Sequence, residues 1–138
     1  MVALMPRYRT SIKDYERMGT AGILHEDDRV ELIQGDIVVM SPVGTPHIRS
    51  VAMITRFLVR QAPDDILVLI QNPIRLPDDS EPQPDAALVR LRGPFRNLPG
   101  PSDVLIVIEV SDSSLAYDRD TKLPLNAQAG ISEAWLVN

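Results

Sequence analysis

The 138-residue chain contains no cysteine. It therefore has no disulfide, no thiolate nucleophile and no cysteine-based zinc or iron–sulfur site. A chain without disulfides fits a reducing compartment, so we expect a cytoplasmic protein.

Aromatic and basic residues are also scarce. Aromatics make up 4% of the chain, and 14 Lys and Arg face 19 Asp and Glu, which gives a net charge of −5. Proteins that coat nucleic acid usually carry a strong positive excess, and single-strand binders use aromatic stacking platforms. Any nucleic-acid chemistry in this chain must therefore depend on a local site.

Long apolar runs are missing too. No segment approaches the roughly 20 residues needed to span a bilayer, and Pro6, Arg7 and Arg9 interrupt the apolar start. We expect a soluble protein with no membrane partner. The length suits one domain over residues 1–138.

What is present is an alternation of strand and helix patterns. Runs rich in Val and Ile predict strands at residues 30–40 (a hairpin turning at Gln34-Gly35), 66–70 (buried), 84–89, 104–110 (central) and 133–137. Helical patterns cover residues 10–18, 47–62, and a third segment that starts at Asp118 or Asp120 and ends at Gly130. This order predicts the α/β class, with a mixed sheet flanked by helices.

The second predicted helix carries arginines at intervals of seven and four, at positions 49, 56 and 60. They share a face distinct from the apolar one. Such a stripe is usually a solvated surface.

Two acidic residues stand next to apolar strands. Glu109 interrupts the run VLIVIEV, and Asp85 precedes the run AALV. A buried carboxylate needs a cation, hydrogen bonds or a wet cleft. If both strands end at one edge, the two carboxylates can share Mg²⁺ or Mn²⁺, which bind oxygen ligands and keep several waters.

Two further residues extend this set. Lys122, on the predicted third helix, can point back over the strand ends and act on a water or on transition-state charge. Glu31 lies between Val30 and Leu32. Each residue also has an ordinary interpretation: Asp85 as a solvated strand end, Lys122 as a surface lysine, and Glu31 as the polar face of a hairpin.

In this order, the motifs resemble the Uma-two family of restriction endonucleases, a branch of the PD-(D/E)xK nuclease superfamily. The similar stretches are ELIQGDIVVMSP (31–42), His47 opening a helix, SEPQPDAALV (80–89), VIEVSDSS (107–114), YDRDTKLPL (117–125) and AGISEAWLVN (129–138).

The resemblance implies a restriction-endonuclease-like fold and a set of roles. Asp85 and Glu109 would bind Mg²⁺ or Mn²⁺, with the carbonyl of Val110 as a third ligand. Lys122 would be the catalytic lysine and Glu31 an additional catalytic acid. His47 and Gln83 would line the site, and DNA would be the partner.

The sequence also departs from the family pattern. The superfamily usually places its lysine two residues after the Glu, where this chain has Ser111, so the following helix supplies the candidate. Asn126 stands where a tyrosine is usual, and Ser132 where proline is common. Family members usually continue into further strands beyond the position of Asn138. An exposed sheet edge would then favour completion by a partner or a homodimer.

Our leading hypothesis is a Mg²⁺-dependent endonuclease that hydrolyses DNA phosphodiester bonds. The alternative is a catalytically silent nuclease-like module used in binding or regulation. A third interpretation is a module whose fold mainly drives oligomerisation. The sequence contains no Walker-A loop, no GxGxxG and no GxSxG motif.

Overall fold

The computed structural model describes residues 5–90, 97–111 and 115–138. In chain order its helices and strands are α1 (Ile12–Thr20), β1 (Val30–Ile33), β2 (Asp36–Val39), α2 (Thr45–Gln61), β3 (Ile66–Ile70), β4 (Ala86–Arg90), β5 (Val104–Val110), α3 (Leu115–Tyr117), a π-helical turn (Asp118–Lys122), α4 (Leu123–Gln128) and β6 (Ala134–Val137).

The larger sheet is mixed, as predicted. Its strand order in the described residues is β3-β4-β5-β6; the first two pairings are antiparallel, and β5 runs parallel to β6. The central position of β5 is confirmed. The prediction that residues 66–70 form a buried strand is wrong in one respect, because β3 is an edge strand and is half-buried along its length.

The sheet packs on both faces. One face meets β1, β2 and α4 through a core that includes Ile33, Val107 and Leu125. The other face meets α2 through Leu58 and Ile108. Helices and strands together confirm the α/β class.

The hairpin of β1 and β2 turns where it was predicted to turn. Gln34 and Gly35 both have positive φ, at 49° and 84°. Such a turn matches the right-handed twist of the flanking strands. The loop before β4 then holds the hairpin, since Glu81 N donates to Leu32 O at 2.7 Å and Gly35 N donates to Asp79 O at 2.8 Å.

The third predicted helix differs from its expected form. Helical structure is already present at Leu115, so neither Asp118 nor Asp120 starts it. Residues 112–114 of the polar turn predicted at 111–114, and residues 93–96 of the loop predicted at 93–101, lie outside the described residues. Gly130 follows the helix end with φ of 92°, as predicted. No helix in the described portion is long and apolar enough to cross a membrane.

Candidate functional site

The pairing of β4 with β5 brings the two predicted carboxylates together. Ala86 pairs with Ile108 in an antiparallel register. One step further along that register sets Asp85 beside Glu109, and opposed residues of an antiparallel pair lie on the same face. This is the face of Val107, which packs towards the hairpin and α4.

Asp85 is held by contacts to both of its oxygens. The backbone N–H of Val110 donates to Oδ2 at 2.7 Å, and His47 Nε2 lies 3.1 Å from Oδ1. His47 is near the start of α2, so this helix reaches the site through its first turn. Both contacts fix the orientation of a carboxylate that is only 14% exposed.

Lys122 lies between two buried acids. Its Nζ is 2.9 Å from Glu109 Oε1 and 3.2 Å from Glu31 Oε2. All three residues are 3% exposed. Glu31 is oriented further by the Gln83 N–H, which donates to Oε2 at 3.0 Å, and by the Tyr117 hydroxyl, which donates to Oε1 at 3.4 Å. The buried charges therefore form one connected network.

The π-helical turn explains how Lys122 reaches this network. The N–H of Leu123 bonds to the carbonyl of Asp118, five residues earlier. In an i→i+5 turn, residues five apart lie roughly above one another, whereas an α-helix rotates them by about 140°. Tyr117 and Lys122 are five apart and both contact Glu31.

Pro124 accounts for the wide turn. Proline has no N–H, and its ring clashes with the carbonyl four residues earlier in a regular helix. Widening the preceding turn relieves that clash. Asn126, buried just beyond, donates from Nδ2 to the Lys122 carbonyl at 2.9 Å and so helps to hold the lysine backbone in place.

These residues line a cavity of about 270 Å³. Its wall is completed by the end of β2 and the loop before α2. The polar and charged side chains on it are Arg29, Glu31, Ser41, His47, Gln83, Asp85, Glu109, Tyr117, Asp118 and Lys122.

Two groups in the site have a raised pKa, each for a different reason. Burial raises the pKa of Glu109 to about 8; Lys122 opposes that shift, and Asp85 and Asp118 add to it. Burial alone would lower the pKa of Lys122, but Glu109 and Glu31 outweigh it and the pKa lies above its usual value. The Glu109 shift is therefore mainly an effect of burial, and the Lys122 shift is an effect of the two neighbouring carboxylates.

A divalent cation fits this donor set. Asp85 and Glu109 offer carboxylate oxygens at one edge of the sheet, and Lys122 Nζ lies 2.9 Å from Glu109 Oε1. Within residues 5–90, 97–111 and 115–138, no three His, Cys, Asp or Glu side chains are grouped as metal ligands. Mg²⁺, however, needs only one or two carboxylates, because water and substrate phosphate complete its shell.

Each residue predicted for the site lines this one cavity, namely Glu31, His47, Gln83, Asp85, Glu109, Val110 and Lys122. Val110 does so with its N–H on Asp85. Sequence reasoning missed Arg29, Tyr117 and Asp118. The five-residue spacing of Tyr117 and Lys122 could have indicated that both side chains reach one site. A regular helix with 3.6 residues per turn, however, places them on different faces.

The mixed sheet flanked by helices is a restriction-endonuclease-like α/β fold. Residues 12–138 match the Uma2 family model, described as "Putative restriction endonuclease". The chain therefore belongs to the Uma2 family. No curated protein matches the sequence.

Proposed function

We propose that this protein is a metal-dependent endonuclease that hydrolyses phosphodiester bonds in DNA. The observation that supports this most is the arrangement around Lys122, whose Nζ is within 3.2 Å of both Glu31 and Glu109. Extending the β4–β5 register one step beyond the pair of Ala86 and Ile108 places Asp85 beside Glu109. The family description agrees with nuclease activity.

Asp85, Glu109 and the carbonyl of Val110 would hold Mg²⁺ or Mn²⁺. When bound, such an ion supplies charge stabilisation for a phosphoryl group and makes water a better nucleophile. His47 and the Val110 N–H keep the Asp85 carboxylate turned towards the cavity. Their part is to preorganise a ligand.

Lys122 supplies a fixed positive charge. Its ammonium has three donors, and Glu31 and Glu109 lie close to two of them. The remaining donor can orient the attacking water or bond a phosphate oxygen. Hydrolysis forms a bond between the oxygen of this water and phosphorus and breaks the bond to the leaving deoxyribose oxygen, and the proton that the water loses is balanced by the proton that the leaving oxygen gains. Lys122 would stabilise the charge that develops on the phosphate oxygens.

Plasmid cleavage tests the proposal. Supercoiled DNA is incubated with the protein and Mg²⁺ or Mn²⁺, beside the variants Glu109→Gln and Asp85→Asn. We expect each variant to cut at least about 100-fold more slowly, because each loses a ligand charge. The matched controls, Glu26→Gln and Asp64→Asn, change exposed acids outside the cavity and should cut normally. Undiminished cleavage by Glu109→Gln would contradict the assignment.

A catalytically silent nuclease-like module is the second candidate. It is favoured by the closed ion pair of Lys122 with Glu109, at 2.9 Å, because this contact occupies a candidate ligand oxygen. Calorimetric titration separates the two functions. Saturable binding of Mg²⁺ or Mn²⁺ at millimolar concentration, lost in Asp85→Asn, supports the nuclease, and its absence supports the silent module.

A further inference from the structure

One segment of this acidic protein, adjoining the candidate site, contains no acidic residue. Residues 37–63 contain no Asp or Glu, although the whole chain has 19. This acid-free segment forms α2 and also supplies residues 38–44 and His47 to the cavity wall. The segment with the least negative charge therefore runs directly from the site onto the outer surface.

Three arginines on α2 form one exposed stripe. Arg49, Arg56 and Arg60 are all exposed, and at about 100° per residue they fall within an arc of about 40°. Val51 and Leu58, the buried residues of the helix, lie on the opposite side. At about 1.5 Å per residue, the stripe extends roughly 16 Å from Arg49 to Arg60.

No carboxylate in the described part of the chain pairs with the arginines of this stripe. Within the described residues, none of the three arginines lies within 4.0 Å of a carboxylate. Other exposed arginines do, as in the pairs Arg7–Asp36, Arg17–Asp14 and Arg119–Asp120. Like charges at successive turns of a helix repel one another. A polyanion lying over the stripe would relieve that repulsion.

We propose that this arginine stripe binds the phosphate backbone of duplex DNA. The inference rests on the proposed nuclease function. Arg49 is two residues beyond His47, which contacts Asp85, but at about 100° per residue the two side chains lie about 160° apart around α2, so the stripe runs along the outer side of the helix. Arg56 and Arg60 are about 6 Å apart along the helix axis, close to the rise of two base pairs. Guanidinium groups bind phosphate bidentately.

A second copy of the chain is the competing occupant of this face. Ile48, Met53, Phe57 and Val59 are exposed on the two sides of the stripe. Packing α2 against α2 of another copy, however, would bring two arginine stripes together. Because α2 contains no acid to pair with them, charge favours DNA over self-association.

DNA binding measured against salt tests the stripe. The full chain, in EDTA, is titrated into a fluorescein-labelled duplex of about 30 base pairs, with KCl between about 50 and 200 mM. The variant Arg49→Gln/Arg56→Gln/Arg60→Gln is compared with Arg7→Gln/Arg17→Gln/Arg90→Gln, which removes the same charge elsewhere. A third variant changes the stripe to lysine and keeps its charge.

We expect the plot of log affinity against log salt to lose a slope of about 0.9 per stripe arginine, about 2.7 in all. The control should lose less than about 1, and the lysine variant should retain the wild-type slope. Equal losses in the stripe and control variants would overturn the inference. So would a wild-type protein that does not bind the duplex, or a wild-type dimer that the stripe variant dissociates in sedimentation velocity.

These outcomes are separate from the cleavage test because EDTA prevents metal-dependent hydrolysis. Plasmid cleavage with an unchanged salt slope would reject the stripe and leave the nuclease intact. A stripe-dependent slope without cleavage would reject the nuclease and leave a DNA-binding face.

Discussion

Buried charge is what most distinguishes the residues of this site from ordinary polar residues. Glu31, Glu109 and Lys122 are each 3% exposed and are held by contacts to one another. Desolvating such groups costs several kcal/mol per ion, and a buried pair often stabilises a fold no better than apolar residues of similar volume. We infer that this network is retained for chemistry more than for stability.

Replacing Lys122 should show how strongly the free energy of unfolding depends on the buried charge network. In EDTA we expect Lys122→Met to lower the free energy of unfolding by about 3 kcal/mol or more, because two buried acids lose their cation. Adding Glu109→Gln should recover part of this loss. Urea unfolding measures both effects. The other lysine of the chain, exposed Lys13, gives the control Lys13→Met, which should change stability by less than about 0.5 kcal/mol. Equal effects at the two lysines would contradict the buried pair.

His47 should act by positioning Asp85. We expect His47→Ala to raise the Mg²⁺ concentration for half-maximal cleavage by about 10- to 100-fold, with a smaller change in rate at saturating metal. His47→Gln, which can still offer an N–H to the carboxylate, should restore part of the loss. His25, the other histidine, is exposed and serves as the control. A metal requirement unchanged in His47→Ala would refute the positioning role.

Among single residues, the sequence predicted the candidate metal ligands better than the side chains that surround them. Asp85 and Glu109 could be singled out because each adjoins an apolar strand. The burial of Lys122 could not be derived from a lone lysine in a polar segment, and the family resemblance carried that assignment. Asp118 was interpreted as a helix start, yet it is buried and accepts a hydrogen bond from the Ser111 hydroxyl.

Among the elements, the π-helical turn Asp118–Lys122 has the clearest functional consequence. It allows Tyr117 and Lys122, five residues apart, to approach the same acid. We expect Pro124→Ala to favour a regular helix, because it restores an N–H and removes the ring clash. Lys122 would then rotate away from Glu109.

The Pro124→Ala protein should therefore be at least as stable as wild type in thermal unfolding, yet cleave DNA at least about 10-fold more slowly at saturating Mg²⁺. Pro63→Ala, at an exposed position just after α2, is the control. Full activity in Pro124→Ala would show that the wide turn does not position the lysine.

Strands were predicted more reliably than this helix. The run at residues 104–110 matched β5 in both bounds and central position. The run at residues 66–70 was also a strand but lies at the edge, because an apolar run alone does not distinguish an edge strand from a central one. A π-helical turn has no characteristic spacing of apolar residues along the sequence. The position of Pro124 was therefore the one indication of it.

Charge is distributed unevenly over the whole molecule, and the net charge of −5 does not show this. Several acids converge on the cavity, while residues 37–63 contain none and carry the arginine stripe. The overall composition therefore gave no support to DNA binding. The order of the sequence motifs did, through the resemblance to the Uma-two family. Strand order and the convergence of β1, β4, β5 and the π-turn on one cavity depend on tertiary packing, which local patterns do not encode.

The central claim is that Asp85 and Glu109 bind one divalent cation at the edge of the sheet. The most direct measurement is a crystal structure of the protein with Mn²⁺, with anomalous scattering used to locate the ion. We predict a single strong peak about 2.0 to 2.3 Å from a carboxylate oxygen of each residue, absent in crystals of Asp85→Asn. No anomalous peak in the cavity at saturating Mn²⁺, or a peak bound by other residues while Lys122 stays paired with Glu109, would contradict the account.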